Sequence, residues 1–423
     1  MSIYLIVLAI STSLLTAILA YLLLSKHEGS SINILTPSFV MAIPAFYLLP
    51  LVYLKLFGAE GSTFAHFYVY SALAVELLAF VYAYTSTGDK VVRMPGVSSY
   101  SNFGLVSLLC LTIGVLLYFP VLIQFREFIF DPRQIYIQTR TGFGIQGFIS
   151  STLAYIAVIL ILFSKRSKTV KVFTILLATG LLSLHGSKGQ VLSVGLILLL
   201  YYVYGLGRQV TFARAMIVYV CAGMVVLSLF AVTMSLGENA ADALEAISSY
   251  SDYTRNAMLV IDSHYPLQYG RITIESNTLG LVPRQLMPGK PKNFGTFALA
   301  EEFYPEWFDS DRGSPAFGVG AQYADFGSLA IVYLALCGLF RGWLARSFVN
   351  RLKTTHHPSD FFMVVFLADV GLFPIGTGWL LPEALCVALF LRFVSRIGAR
   401  TVFQDIQRRT ILVQPTMLPK ADS

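Results

Sequence analysis

The sequence predicts an all-α polytopic membrane protein with about eleven transmembrane helices and a large helical outer loop. Of its 423 residues, 56% are hydrophobic and only 13% are charged, whereas soluble domains carry about 25% charged residues. Apolar runs of about 17–25 residues, the length that crosses the hydrocarbon core as a helix, also recur along the chain. The predicted spans are 3–24, 34–54, 64–84, 103–123, 145–164, 169–185, 191–206, 214–236, 328–345, 361–378 and 380–396. Several of them are short or closely spaced, so ten to twelve spans fit the same pattern.

The first span is expected to be a retained membrane anchor. No basic segment precedes it, no small-residue cleavage site follows it, and many more spans come after it. A secretory signal peptide would show the first two features and lack the third.

Lysine and arginine in the short connections indicate the orientation, because cytoplasmic connections of membrane proteins are enriched in both. With eleven spans, the basic groups at 165–171, 208–214 and 346–353 and those of the C-terminal tail fall on one side. We therefore expect that side to be the cytoplasm and the N-terminus to lie outside. The net charge of +7 follows from this topology and does not require a nucleic-acid partner.

Four regions follow from the same pattern. Residues 1–236 contain spans one to eight, 237–327 form the large extracytoplasmic loop, 328–396 contain the last three spans, and 397–423 form a cytoplasmic tail. The loop is far longer than a turn requires, and such loops are usually functional or disordered. Its many aromatic residues favour a folded cap that starts with an amphipathic helix. The residues at helical spacing there are Leu244, Ile247, Tyr250, Thr254, Met258 and Ile261.

Four cysteines lie in predicted spans without paired spacing, and we expect them to be packing residues. They are Cys110, Cys221, Cys337 and Cys386. This arrangement indicates neither a disulfide framework nor a metal site. The chain also lacks a nucleotide-binding glycine motif, so we expect no cofactor.

Charged residues within the spans are candidates for function, because each costs roughly 2.5–3.5 kcal/mol at the bilayer centre. They are Glu76, Arg341, Asp369 and Glu383. The alternative for Glu76 or Asp369 is a structural ion pair inside the bundle, which we favour. Three prolines predict a kink in the second span: Pro37, Pro44 and Pro50.

The most unusual stretch is LVPRQLMPGKPKNFG, residues 281–295, which places Arg284, Lys290 and Lys292 in a stiff loop. Residues 237–327 contain six Lys/Arg and twelve Asp/Glu, so one interpretation is that these cations pair with nearby carboxylates. The other is that they join cations of separate outer segments in a site for a lipid-linked pyrophosphate. Guanidinium suits that role because its planar fork binds phosphate oxygens bidentately.

Two motifs and the layout carry a resemblance. The segments VPRQLMPGKP and AFGVGAQYADFG, in a polytopic chain with one large late outer loop, resemble the Wzy-type oligosaccharide repeat-unit polymerases that make O-antigen, exopolysaccharide or capsule. Some members of that family also carry an R-x10-G spacing in two outer loops. Here it is matched by Arg133 with Gly144 and by Arg284 with Gly295.

This resemblance implies a metal-independent, inverting membrane glycosyltransferase with a GT-C-like fold in the bacterial inner membrane, its active face outward. Its substrates would be undecaprenyl-pyrophosphate-linked oligosaccharides, and the growing glycan would be transferred to a new lipid-linked repeat unit. A flippase and a chain-length regulator of the same pathway would be partners. Two alternatives remain open: an O-antigen ligase-type glycan transferase, and a flippase or transporter for the lipid-linked glycan. A transporter should show inverted repeats and a polar midplane, whereas polar residues here concentrate in the outer loop.

Such chemistry assigns roles to particular residues. A cation that stabilises the leaving pyrophosphate is expected at Arg284. A base for the acceptor hydroxyl is expected at His264 or Glu275, which flank Arg271. Further substrate-binding candidates are Arg271, Lys290, Arg133, Arg140, Lys188 and, for stacking on a sugar, Trp307. Each of these side chains has a plainer alternative as a surface residue or, for Trp307, as part of the loop's own core.

Overall fold

Helices make up all of the regular secondary structure in the described part of the chain. The computed structural model describes residues 2–58, 60–88, 102–129, 131–139, 143–186, 188–233, 251–282, 284, 286–310, 315–369 and 384–395. The helices of the first half are α1 Ser2–Glu28, α2 Thr36–Phe57, α3 Thr63–Ser86, α4 Phe103–Gln124, α5 Pro132–Thr139, α6 Gly144–Phe163, α7 Lys168–Leu184, α8 Lys188–Leu200 and α9 Phe212–Thr233. Those of the second half are α10 Asp252–Asp262, α11 Arg271–Thr278, α12 Thr296–Phe303, α13 Pro305–Asp309, α14 Gly320–Phe326, α15 Ala330–Thr355, α16 Pro358–Asp369 and α17 Ala384–Ser395.

A described helix overlaps every predicted span. Among the described residues, six helical segments are long and apolar enough to cross a membrane: Ile3–Glu28, Thr36–Phe57, Thr63–Ser86, Phe103–Gln124, Gly144–Phe163 and Gly320–Thr355. Shorter apolar helices lie at Gly189–Gly205, Phe212–Cys221, Pro358–Ala368 and Ala384–Ser395. The chain is thus a multi-pass membrane protein whose described part is all-helical, and the count of eleven spans stays a prediction.

The most extensive helix–helix contact joins α3 to α15. Two glycines one turn apart on α15 make it possible, because a Cβ at Gly338 would collide with the carbonyl of Glu76, and one at Gly342 with that of Phe80. Small residues spaced in this way let helix backbones approach closely in membranes. The absence of side chains at these two positions therefore sets the distance between the helices.

An ion pair crosses the same contact. The Arg341 Nη1 atom lies 3.0 Å from Glu76 Oε1, and no part of the Glu76 side chain is exposed. The predicted structural pairing of Glu76 is confirmed, and its partner is Arg341. The side chain of Asp369 and all of Glu383 lie outside the described residues.

Helix α2 is irregular at its centre, where Pro44–Leu48 adopts π-helical geometry. Proline lacks the N–H that an α-helix needs and clashes with the preceding turn, and π-bulges are a common cause of helix distortion. The predicted irregularity of the second span therefore falls at Pro44.

The expectation for the cysteines is corrected in part. Cys110 is buried and Cys337 partly buried, but Cys221 and Cys386 are exposed on α9 and α17. Hydropathy identifies a membrane helix and does not tell its inner face from its lipid-facing side, so these two cysteines do not pack within the chain.

The described part of the large loop has a small core of its own. Its centre is formed by Val260 of α10, Ile272 of α11, Leu299 of α12 and Phe317 just before α14. Of the residues predicted on the loop's first helix, Thr254, Met258 and Ile261 lie buried on α10; Leu244, Ile247 and Tyr250 lie outside the described residues. The described part of the loop is thus helical and packs around this core, and the cap as a unit of residues 237–327 stays a prediction.

Candidate active site

Asp262 attaches the large loop to the helix bundle. Its carboxylate accepts hydrogen bonds from the backbone N–H of Ser62 at 2.6 Å and from the Ser62 hydroxyl at 2.5 Å. Ser62 is the N-cap of α3, and its hydroxyl oxygen accepts from the N–H of Ala65 at 3.1 Å. The end of α10 is therefore bound directly to the beginning of a buried membrane helix.

A second attachment involves Arg255 of α10. Its guanidinium donates to Glu60 at 2.7 and 3.1 Å, lies over the ring of Tyr53 at 3.9 Å, and contacts Asp252 at 3.4 Å. Tyr53 also donates to Glu60 at 2.5 Å. Burial alone would raise the pKa of Glu60, but the hydrogen bonds from Arg255 and Tyr53 outweigh it and lower that pKa. The pKa of Asp252 is raised by burial.

Asp325 positions α11. The helix begins after Gly270, which has no side chain with which to cap it. The buried carboxylate of Asp325 instead accepts from the N–H groups of Ile272 at 2.9 Å and Thr273 at 2.7 Å, and from the Thr273 hydroxyl at 2.6 Å. These are N–H groups that a helix leaves without internal partners, and a negative charge there is favourable. Asp325 thus fixes the place from which Arg271 and Glu275 project.

Glu275 then connects α11 to Gly295, the last residue of the segment 281–295, which we call the cationic stretch. One of its oxygens accepts from Arg271 Nε at 2.8 Å, and the other accepts from the backbone N–H of Gly295 at 2.8 Å. Gly295 has φ +56°, a conformation that favours glycine. A Cβ there would also collide with Ser276. These contacts bring Arg271, Glu275 and the end of the 281–295 stretch together.

The cationic stretch is closed by Lys290. The Lys290 ammonium donates to the carbonyl of Val282 at 3.0 Å and lies 4.0 Å from the centre of the Phe294 ring. Only 8% of Lys290 is exposed. Burial, and then the positive charge of Arg284, lower the pKa of Lys290.

Arg284, like Lys292, is an exposed cation of this stretch. Its Nη1 atom donates to the carbonyl of Lys290 at 3.2 Å. No described hydrogen bond or ion pair of Arg284 or Lys290 goes to a carboxylate. The positive charges of Arg284 and Lys290 are thus not neutralised by a described carboxylate.

Comparison with known proteins shows which family the chain belongs to. The O-antigen polymerases of Salmonella typhimurium and Salmonella typhi are each 32% identical to it over 405 residues, which cover 95% of this chain and 98% of each relative. The chain belongs to the O-antigen polymerase family. This confirms the resemblance to the Wzy-type polymerases that the sequence motifs indicated. No family model and no solved structure matches the chain.

Two other candidate residues of this O-antigen polymerase homologue lie exposed on the same loop. His264 follows α10 with φ 55°, and its Nδ1 lies 2.8 Å from the carbonyl oxygen of Asp262. A carbonyl only accepts, so Nδ1 donates and the neutral ring carries its lone pair on Nε2. Trp307 of α13 is 46% exposed and lies 6.3 Å from the ring of Tyr304. Both side chains are accessible to a ligand.

Three predicted cations belong to other segments. Arg133 lies on α5 and Lys188 begins α8, but their side chains, and all of Arg140, are outside the described residues. Their convergence with the large loop therefore stays a prediction. In the described part of the chain, no group of three His, Cys, Asp or Glu residues is arranged to hold a metal ion.

Sequence reasoning missed the residues that hold this polymerase's loop in place. Asp325 was visible as the acidic residue of the ADFG segment before a span, yet nothing in the sequence linked it to Ile272 and Thr273. The pair of Glu60 and Arg255 joins positions 195 residues apart. A single sequence carries no signal for such a contact.

Proposed function

We propose that the protein polymerises undecaprenyl-pyrophosphate-linked oligosaccharide repeat units. The observation that carries this proposal is the 32% identity, over 95% of the chain, to two proteins named O-antigen polymerase. The growing glycan is the donor, and a new lipid-linked repeat unit is the acceptor. The reaction takes place on the outer face of the bacterial inner membrane, where no nucleotide sugar is available. The substrate therefore arrives with its own leaving group.

The proposed chemistry is a single displacement. An oxygen of the acceptor's non-reducing-end sugar attacks C1 of the donor's reducing-end sugar, and its proton passes to a base. The bond from C1 to the pyrophosphate oxygen breaks, and its electron pair leaves with undecaprenyl pyrophosphate. This displacement inverts the configuration at C1. No metal ion is assigned to it, because cations of the protein serve the leaving group.

The leaving group is assigned to the cationic stretch. Arg284 is exposed and lies beside Lys290, whose ammonium is held against Val282. Preorganised cations stabilise charge as it develops, and they act most strongly in sites with little water. A bound pyrophosphate would also favour the protonated form of Lys290, which burial disfavours. Arg271 is connected to the same stretch through Glu275, which accepts hydrogen bonds from Arg271 and from the N–H of Gly295.

The two candidate bases receive different roles in this proposal. Both oxygens of Glu275 already accept hydrogen bonds, from Arg271 and from Gly295, which supports a positioning role. His264 is exposed and has an acceptor nitrogen in its neutral form, so it is the base that we propose. Trp307 offers an exposed ring for a sugar face.

The remaining expectations belong to the same proposal. Arg133, Arg140 and Lys188 complete the anion site from outer segments. Residues 1–236 and 328–396 form a GT-C-like bundle around the extracytoplasmic loop 237–327, with 397–423 as a cytoplasmic tail. A flippase supplies the repeat units, and a chain-length regulator ends the polymer.

The test is a reconstitution of the full chain in liposomes. The vesicles receive only undecaprenyl-pyrophosphate-linked repeat units extracted from the source bacterium, with a metal chelator present, and the products are separated on a gel. A ladder spaced by one repeat is expected. Arg284→Ala should lower the rate about 100-fold or more, the effect of removing one preorganised donor to a developing anion. Lys55→Gln, which removes an exposed charge from α2, is the control and should match the wild type.

Other results would redirect the assignment. Movement of the substrate across the bilayer without elongation identifies a transporter. Transfer of preformed polymer to a different acceptor, without a ladder, identifies a ligase. A ladder that requires a divalent ion contradicts the metal-independent mechanism and leaves the polymerase function in place.

A further inference from the structure

A partly open cleft lies where the large loop meets the bundle. Ile10, Pro50 and Leu54 of α1 and α2, with Met258 of α10, form its apolar wall. The polar lining residues are Tyr53, Glu60, His66, Thr254 and Arg255. None of these residues belongs to the cationic stretch, so the cleft is a polar surface separate from that stretch.

The charge of the cleft differs from that of the cationic stretch. Arg255 is shared between Glu60 and Asp252, so its charge is neutralised by two carboxylates. Residues 281–295 contain three cations and no carboxylate. The stretch therefore suits a pyrophosphate, whereas the cleft repels one and suits hydroxyl groups, which donate to carboxylates and accept from guanidinium.

The two lipid-linked substrates of a polymerase place their reacting ends differently. The reacting sugar of the donor is bonded directly to its pyrophosphate. The reacting hydroxyl of the acceptor is on the non-reducing-end sugar, the part of the molecule farthest from its own pyrophosphate. An acidic cleft and a separate cationic stretch match this difference.

We propose that this cleft binds the non-reducing-end sugar of the acceptor repeat unit, through Glu60, Arg255 and His66. The proposal rests on the polymerase function above and adds the acceptor subsite to it. The Arg255 plane is fixed by the Tyr53 ring at 3.9 Å and by Glu60 at 2.7 Å, so its fork is oriented before a ligand arrives. The Nδ1 of His66 donates to the carbonyl of Ser62 at 3.0 Å, which places the lone pair of the neutral ring on Nε2.

Binding of an uncharged probe tests the cleft apart from catalysis. The probe is the free oligosaccharide released from the bacterium's own lipid-linked repeat unit, without lipid or phosphate. Its binding to the full chain in detergent is titrated by saturation-transfer-difference NMR. Glu60→Gln and His66→Phe should each weaken binding about tenfold, the effect of a lost hydrogen bond from a sugar hydroxyl. Lys55→Gln should leave binding unchanged, and inorganic pyrophosphate should not compete.

A charge swap separates a binding role from a purely structural one. Glu60→Arg combined with Arg255→Glu restores an ion pair between loop and bundle while reversing the positions of donor and acceptor. If the pair is only an attachment, the swapped protein binds the probe like the wild type, and the proposal is overturned. His66→Phe leaves the 2.7 Å pair of Arg255 and Glu60 in place, so it tests the cleft without loosening the loop.

The remaining outcomes are equally decisive. The inference is wrong if the wild-type chain does not bind the probe, if pyrophosphate displaces the probe, or if Glu60→Gln and His66→Phe bind it normally. A repeat-unit ladder in the reconstitution together with any of these results keeps the polymerase function and removes only the acceptor subsite.

Discussion

The ammonium nitrogen of Lys290 lies 3.0 Å from the carbonyl oxygen of Val282. This bond joins the two ends of a short segment that contains Arg284 at its exposed turn. The Phe294 ring, 4.0 Å from the same ammonium, covers it from another side. Lys290 therefore stabilises the conformation of the cationic stretch and also contributes a positive charge to it.

The first prediction concerns pH. Burial and the charge of Arg284 lower the pKa of Lys290 below its ordinary value of 10.5. If the protonated amine serves the leaving group, kcat/KM is retained below that lowered pKa and falls as the pH rises through it. Lys290→Arg should move the alkaline limb of the profile to higher pH, because arginine keeps its proton to a pKa above about 12.

Lys290→Met provides the contrast for this profile, since it preserves length and removes the charge. It should be slow at every pH and lack the alkaline limb. Identical limbs in the wild type and in Lys290→Arg would show that another group, or the substrate, titrates there.

The second prediction concerns Asp325. Asp325→Ala removes the acceptor of three hydrogen bonds and leaves the N–H groups of Ile272 and Thr273 without it. Loss of such a cap costs about 0.5–2 kcal/mol, and activity should fall because Arg271 and Glu275 lose their fixed position. Thr273→Val removes only the side-chain bond and should have a much smaller effect. Rates and limited proteolysis of the loop measure both.

Asp325→Asn refines this test. An amide oxygen can still accept from one N–H group of α11, so the variant should lie between the wild type and Asp325→Ala. Equal rates for all three proteins would mean that the position of α11 does not matter to the reaction.

The third prediction compares the two glycines of the R-x10-G spacings. Gly295→Ala must adopt φ +56° and place a Cβ against Ser276, which should displace the N–H that binds Glu275. We expect a large loss of polymer formation. Gly144 begins α6, and no atom of the described residues lies within 4 Å of the place that a Cβ would take there. Gly144→Ala should therefore be tolerated. Polymer formation is measured on a gel for both variants. An equal loss of polymer in the two variants would contradict the prediction that only Gly295 is required by the backbone.

The fourth prediction concerns the pair of Glu76 and Arg341. Removing one partner leaves a buried charge without compensation, which typically costs about 3–5 kcal/mol. Glu76→Gln or Arg341→Met should lower the temperature of unfolding in detergent. The double variant Glu76→Leu with Arg341→Leu should recover much of the loss. If the double variant is stable but makes no polymer, the pair has a role in the reaction as well.

The fold was predictable to the extent that hydropathy determines it. Apolar runs located the membrane helices, and the aromatic content of residues 237–327 indicated a folded cap. Which side of a helix faces its neighbours was not predictable, as Cys221 and Cys386 show. The partner of Glu76 was not predictable either, because Arg341 lies 265 residues away.

The candidate site was predictable only where chemistry is local in sequence. The contact between Arg271 and Glu275 follows from their i,i+4 spacing on a helix, and Arg284 and Lys290 are held together by prolines and turns. Asp325 and Glu60 depend on how distant segments meet. Their contribution is a property of the folded chain.

The large loop and the bundle are joined by a closed ring of direct contacts between helices. Helix α3 is in backbone contact with α15 at Gly342, α15 continues through Gly327 into α14, α14 packs on α10, and Asp262 returns to the first turn of α3. Membrane helices tilt when bilayer thickness changes. Since each of these contacts is direct, a tilt of α15 would be transmitted to α14 and from there to α10 and α11, which both pack on α14. We therefore expect the thickness of the surrounding bilayer to change the rate of the reaction even though the cap itself does not cross the membrane.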